Sequence, residues 1–148
     1  VITQSFSFIA TANAIQYTGA SPYFVDIDED SLGMNIQSLL ILESDLEKRA
    51  DGVFHVPTNR RMAAVVPMHS FGMPCEIELI AKWCEKWEIP LIEDAAESLG
   101  SFYKGKHTGT WGKLGVMSFN GNKTITAGGG GVMIFLGILI IVQAVTST

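Results

Sequence analysis

The stretch Glu76–Gly100, EIELIAKWCEKWEIPLIEDAAESLG, decides how the rest of the chain is read. Ile77, Ile80, Ala81, Cys84 and Trp87 recur at three- and four-residue spacing, with glutamates and lysines between them, which predicts an amphipathic helix. Pro90 cannot continue that helix, and the short run Leu91–Glu93 after it predicts a strand with Asp94 at its end. A helix handed directly to a strand is the building step of an α/β protein.

The same step recurs on both sides. Upstream, a small-residue helix at 10–17 leads into a strand at Tyr23–Ile27. A second, covering helix is predicted from about Ile36, carrying Leu39, Leu40 and Leu46 and ending near Asp51 and Gly52. The polar, turn-rich His55–Met62 reads as a surface excursion, and AAVVPMHSFGMP (63–74) as a buried strand entering a Gly/Pro loop. Downstream, strands are predicted at Gly115–Phe119 and Gly131–Phe135. Short strands alternating with helices imply an α/β fold, a three-layer αβα sandwich around a largely parallel sheet.

Composition excludes several function classes. At 148 residues, 47% hydrophobic and 17% charged, the chain can bury one core. A net charge of −5 with a pI near 5.1 supplies no basic field for nucleic acid or anionic lipid. Cys75 and Cys84 stand nine apart, with neither a CxxC motif nor a matching His pair, so they read as buried free thiols in a reducing cytoplasm. The apolar run Val132–Val142 is shorter than the about 20 residues that span a bilayer. It reads as a buried strand followed by a truncated or frameshifted end, and a membrane anchor is disfavoured.

Ligands of open α/β sheets gather beyond the carboxyl ends of the strands, where this chain places Asp26, His69, Asp94 and Ser118. Asp94 also fits a helix N-cap, because DAAE puts Glu97 three residues on. His69 reads as a structural histidine. In MSFNGNKTITAGGGG (Met117–Gly131), Lys123 stands in a loop between two strands, close to four consecutive glycines. Glycines let backbone approach a bound ring, a serine hydroxyl can meet a phosphate, and a lysine amine forms Schiff bases with carbonyl compounds. A carboxylate, a serine and a lysine at strand ends suggest a site for pyridoxal phosphate (PLP).

Four segments, FSFIATANAI (6–15), VVPMHSFGMP (65–74), LIEDAAESLGSFYKGKHTGTWGKLGVMSFNGNK (91–123) and AGGGGVMI (127–134), carry a resemblance to the DegT/DnrJ/EryC1/StrS sugar-nucleotide aminotransferases. The resemblance covers residues 1–134 and implies part of the large PLP-binding domain of the fold type I, aspartate-aminotransferase-like enzymes. Residues 135–148 form an apolar tail that departs from the family pattern. With TNRRM (58–62) before AAVVPMH, the wording resembles the LegC-like branch.

The resemblance implies that Lys123 is the Schiff-base and proton-shuttling lysine and that Asp94 partners the pyridinium nitrogen. It implies that Ser118 contacts the cofactor phosphate and that Phe8 stacks on the ring. Glu97 falls where many relatives hold a Gln near the ring 3-oxygen. The implied reaction moves an amino group from glutamate to a nucleotide-linked 4-keto-6-deoxy sugar, on the route to legionaminic acid and related surface polysaccharides, in a cytoplasmic homodimer. Relatives acting as dehydratases hold a histidine in place of the lysine, so Lys123 favours transamination. Two alternatives remain open: another fold type I PLP enzyme acting on an amino acid, and a catalytically inactive fragment.

Overall fold

Adjacent residues on a strand face opposite sides of a sheet, and Val65 and Val66 separate the two working faces of this molecule. The computed structural model describes residues 1–135 and 138–142. In chain order the elements are β1 (Ile2–Gln4), α1 (Ile9–Tyr17), β2 (Tyr23–Val25), α2 (Ile36–Leu42), β3 (Leu46–Arg49), β4 (Gly52–His55), β5 (Arg60–Arg61) and β6 (Val65–Val66). They continue with α3 (Ile77–Trp87), β7 (Ile92–Asp94), β8 (Phe102–Tyr103), β9 (Lys106–His107), β10 (Leu114–Ser118), β11 (Gly131–Phe135) and β12 (Ile138–Val142).

β2, β1 and β6 run parallel, as do β7 and β10, whereas β10, β11 and β12 alternate in direction. The two groups join edge to edge between β6 and β7. There the Val65 N–H donates to the Pro90 carbonyl at 2.9 Å and the Asp94 N–H to the Pro67 carbonyl at 2.9 Å. The continuous order is therefore β2-β1-β6-β7-β10-β11-β12. A separate small sheet, β3-β4-β5, and the β8-β9 hairpin complete the described architecture.

On one face Ile2, Val65 and Leu91 pack against Ile36 and Leu39 of α2 and against Ile77, Ile80 and Trp83 of α3, forming the main core. On the other, Val66, Ile92, Asp94, Val116 and Ser118 border a cavity shared with α1. Helices thus lie on both faces of a mostly parallel sheet, the αβα arrangement read from the sequence. The strand ends predicted to matter are Asp94, closing β7, and Ser118, closing β10.

Several elements depart from the sequence reading. The covering helix ends at Leu42, not near residue 51. Its apolar period lapses at Glu43–Asp45, which form a single 3-10 turn, and Leu46–Arg49 then pairs antiparallel with Gly52–His55 across the two-residue turn Ala50–Asp51. The polar segment 55–62 is an excursion that still contributes β5 to that meander. On α3 it is Trp83 that enters the core, 4% exposed, while Trp87 is half-buried and donates to Glu43 Oε1 at 3.0 Å. No helix follows Asp94, so DAAE is not a capping box; Asp94 Oδ1 accepts instead from the Ala96 N–H of a turn, at 3.1 Å. In the apolar tail the backbone of 138–142 pairs with β11, and residues 136, 137 and 143–148 lie outside the described residues. Among the described residues no helix is long and apolar enough to cross a membrane.

Both cysteines are free and buried. Burial pushes the Cys84 thiol up to about 12, and burial together with the nearby Glu93 carboxylate pushes the Cys75 thiol higher still. Because the thiolate is the nucleophile, the native chain at about pH 8 will resist iodoacetamide at both positions. Both thiols will alkylate once the chain is unfolded in guanidinium, as read by intact mass.

Candidate active site

The local geometry is set by a carboxylate that does not face the cavity with its charge. Glu93, fully buried in the centre of β7, accepts from the backbone N–H groups of Gly109 at 2.7 Å, Trp111 at 2.5 Å and Gly112 at 2.8 Å. Its Oε2 also meets His69 Nε2 at 3.1 Å. His69 Nδ1 accepts from the Cys75 N–H at 3.3 Å, which leaves Nε2 to donate to Glu93. A buried carboxylate is tolerated only with such a set of donors. The clamp holds the loop before β10 so tightly that a side chain at Gly115 would meet the Gly109 carbonyl oxygen at 1.9 Å.

With Glu93 turned into the interior, the next residue of the strand must face the other way. Asp94 therefore points at the cavity, where Thr11 Oγ1 of α1 donates to its Oδ2 at 2.5 Å. Beside it the β10–β11 connection carries Lys123 on a turn, its N–H donating to the Asn120 carbonyl at 3.0 Å. Phe119 N–H to Gly130 O, at 2.9 Å, and Ala127 N–H to Phe119 O, at 3.0 Å, close this loop onto the sheet. The glycine run has a backbone reason: Gly128 (φ 80°) and Gly130 (φ 118°) occupy conformations disfavoured for side chains, and a Cβ on Gly131 would lie 2.6 Å from the Met117 carbonyl oxygen.

Lys123 Nζ lies 3.2 Å from Glu97 Oε1, and the other Glu97 oxygen accepts from the Phe71 N–H at 3.0 Å. The pair is mostly shielded, with the lysine side chain 16% and the glutamate 27% exposed. Phe8, the residue before α1, presents its ring at 65% exposure on the same cavity. Phe8, Asp94, Glu97, Ser118 and Lys123 all line one cavity of about 710 Å³, a size that suits a small-molecule site. Two of the strand-end residues inspected in the sequence are not there: Asp26 is exposed beyond β2, and His69 is buried in the Glu93 cluster. Among the described residues no group of three acidic, His or Cys side chains is placed to hold a metal ion.

The cavity is also lined by Thr11, Met68, Asn120 and Asn122, none of which the sequence reading singled out. For Thr11 the available signal was a β-branched hydroxyl set among alanines in ATANA, a poor choice for a helix interior. Nothing in the spacing announced Glu93, since its partners are backbone groups 16 to 19 residues away and a histidine 24 residues away.

The model of the DegT/DnrJ/EryC1/StrS aminotransferase family matches residues 1–136. The chain belongs to this family. Relatives include the GDP-perosamine synthase of Escherichia coli O157:H7, 40% identical over 134 residues, covering 90% of this chain and 33% of that protein. EpsN of Bacillus subtilis strain 168, named as pyridoxal phosphate-dependent, is 42% identical over 135 residues, covering 90% of this chain and 32% of EpsN. Among solved structures, a DegT DnrJ EryC1 StrS aminotransferase from Brucella abortus superposes with a TM-score of 0.80 at 30% identity, over 93% of this chain and 35% of that one. DesI, solved with its TDP-sugar product, gives 0.76 at 28% identity, over 93% and 31%. The sheet is thus that of the fold type I aminotransferases, and the chain spans about a third of the length of the curated relatives it matches.

The Glu93 clamp carries a stability prediction. In Glu93→Gln one oxygen becomes an amide N–H₂ facing N–H donors, so at least one buried donor loses its partner. The unfolding free energy should fall by about 3 kcal/mol in urea titration. A loss under about 1 kcal/mol would show that the loop does not depend on the charge.

Proposed function

We propose that this chain carries the cofactor-binding part of a PLP-dependent aminotransferase acting on a nucleotide-linked 4-keto-6-deoxy sugar, with glutamate as amino donor. The carrying observation is the convergence of Lys123, Asp94, Ser118 and Phe8 on one cavity. An amine, a carboxylate, a hydroxyl and an exposed aromatic face are the chemical complement of an aldehyde, a pyridinium nitrogen, a phosphate and a flat ring, so the residues present fit PLP. Names among the relatives, GDP-perosamine synthase and DesI with a TDP-sugar, support a nucleotide sugar as substrate.

When bound, PLP accepts electron density from the carbon that bears the transferred amino group. The rest falls to this chain. Lys123 Nζ would hold the cofactor at its aldehyde carbon, and as a free amine it would move the proton at the donor's α-carbon. Asp94 holds a proton on the ring nitrogen. Ser118 Oγ donates to the phosphate, and Phe8 covers one face of the ring. Glu97, 3.2 Å from Nζ, would orient the amine and serve the ring 3-oxygen.

The finer reading places the protein in the LegC-like branch, on the route to legionaminic acid and related nonulosonic acids of surface polysaccharides, on the wording of TNRRM before AAVVPMH. It acts there as a cytoplasmic homodimer. Buried reduced thiols agree with a reducing compartment.

The test is a PLP titration of the purified chain followed by absorbance, borohydride reduction and peptide mass mapping. The label is expected on Lys123 and should vanish in Lys123→Ala. A folded chain that yields no reducible adduct, or one labelled at another lysine, would overturn the assignment.

A further inference from the structure

Helix α1 is poorly anchored by its own sequence. It has nine residues, no side-chain N-cap bond and only Thr11 and Ile15 buried, while Ile9 and Tyr17 are 64% and 87% exposed. Apolar burial therefore does little to fix where the helix sits. Thr11 makes the specific contact: its hydroxyl donates at 2.5 Å to Asp94, a residue 83 positions away in the chain.

A helical threonine commonly turns its hydroxyl back to a carbonyl of the preceding turn. Here it points across to β7. β-Branching restricts its side chain to few rotamers, so the donor is held in place before any ligand arrives. On the receiving side, Asp94 Oδ2 takes Thr11 and Oδ1 takes the Ala96 N–H at 3.1 Å. Two donors on two different oxygens fix the plane of the carboxylate and leave a lone pair on each for the cavity. One helical turn before Thr11 stands Phe8, whose carbonyl accepts the Thr11 N–H at 3.2 Å. A single residue thus links the group placed for the ring nitrogen to the group placed for the ring face.

We propose that Thr11 is a positioning residue for PLP: through its bond to Asp94 it aims the carboxylate at the ring nitrogen and seats α1 so that Phe8 stands over the ring. This inference rests on the PLP reading above.

The test measures PLP dissociation constants by absorbance titration for the wild-type chain and for Thr11→Val, Thr11→Ser, Asp94→Asn and the Thr11→Val/Asp94→Asn double variant. Circular dichroism checks each fold, and Thr11→Ala replaces Thr11→Val should the latter not fold. Loss of a hydrogen bond to a charged group predicts about tenfold weaker binding in Thr11→Val. Thr11→Ser, which keeps the hydroxyl, should stay within about twofold of wild type. In the Asp94→Asn background the same Thr11→Val change should cost less than about twofold, because its effect passes through the carboxylate.

Unchanged affinity in Thr11→Val would overturn the inference. An equal tenfold loss in the Asp94→Asn background would do so too, assigning Thr11 to helix packing alone. Wild-type chain without a reducible adduct at Lys123 would overturn this inference and the PLP reading together. An adduct at Lys123 with Thr11→Val indistinguishable from wild type would remove only the former.

Discussion

The buried carboxylate of Glu93 is the constraint on which the cavity end of this molecule depends. Its two oxygens collect three backbone N–H groups from the loop before β10 and a histidine from the segment after β6. That one side chain ties together the two halves of the sheet and the loop feeding β10. Burying a carboxylate is costly in isolation, and the full donor set converts it into a rigid joint. Strand alternation then does the rest: with Glu93 committed to the interior, Asp94 has to face the cavity.

From that joint the cavity follows by geometry. Parallel strands β6, β7 and β10 deliver their carboxyl ends to one edge, and the β10–β11 connection brings Lys123 back over it. Both Lys123 and Asp94 are held from more than one segment. Lys123 is paired with Glu97, which is itself fixed by the Phe71 N–H, and Asp94 is held by Thr11 and Ala96. Functional side chains supported by second partners are pre-organised, so less ordering remains when a ligand binds.

Much of this was legible in the chain. The helix-to-strand step at 76–94, the glycine run and the strand-end residues Asp94 and Ser118 are local signals, and local signals survive without tertiary information. The errors are local too. The over-long second helix came from counting Leu46 in a helical period that Glu43–Asp45 had already broken; pairing with β4 outweighed that weak preference. Reading DAAE as a possible cap came from two residues at the right spacing, whereas the chain after Asp94 turns away to lay its loop against β10. On α3 the periodic face Ile77, Ile80, Ala81, Cys84 and Trp87 does meet the core, and what period alone left out is Trp83, which is buried beside it.

By itself the sequence determined the α/β alternation, the order of the strands' chemistry and the residue types at the strand ends, because these depend on spacing along the chain. Only the tertiary structure decided that Thr11 and Asp94 meet across 83 residues, that Glu97 reaches Lys123, and that Glu93 serves the loop while its neighbour serves the cavity. Those facts depend on hydrogen bonds between segments distant in the chain, and a hydrogen bond of a few ångströms leaves no periodic trace in sequence. Backbone partners leave least of all: the three N–H groups on Glu93 would be present whatever residues, proline aside, stood at those positions.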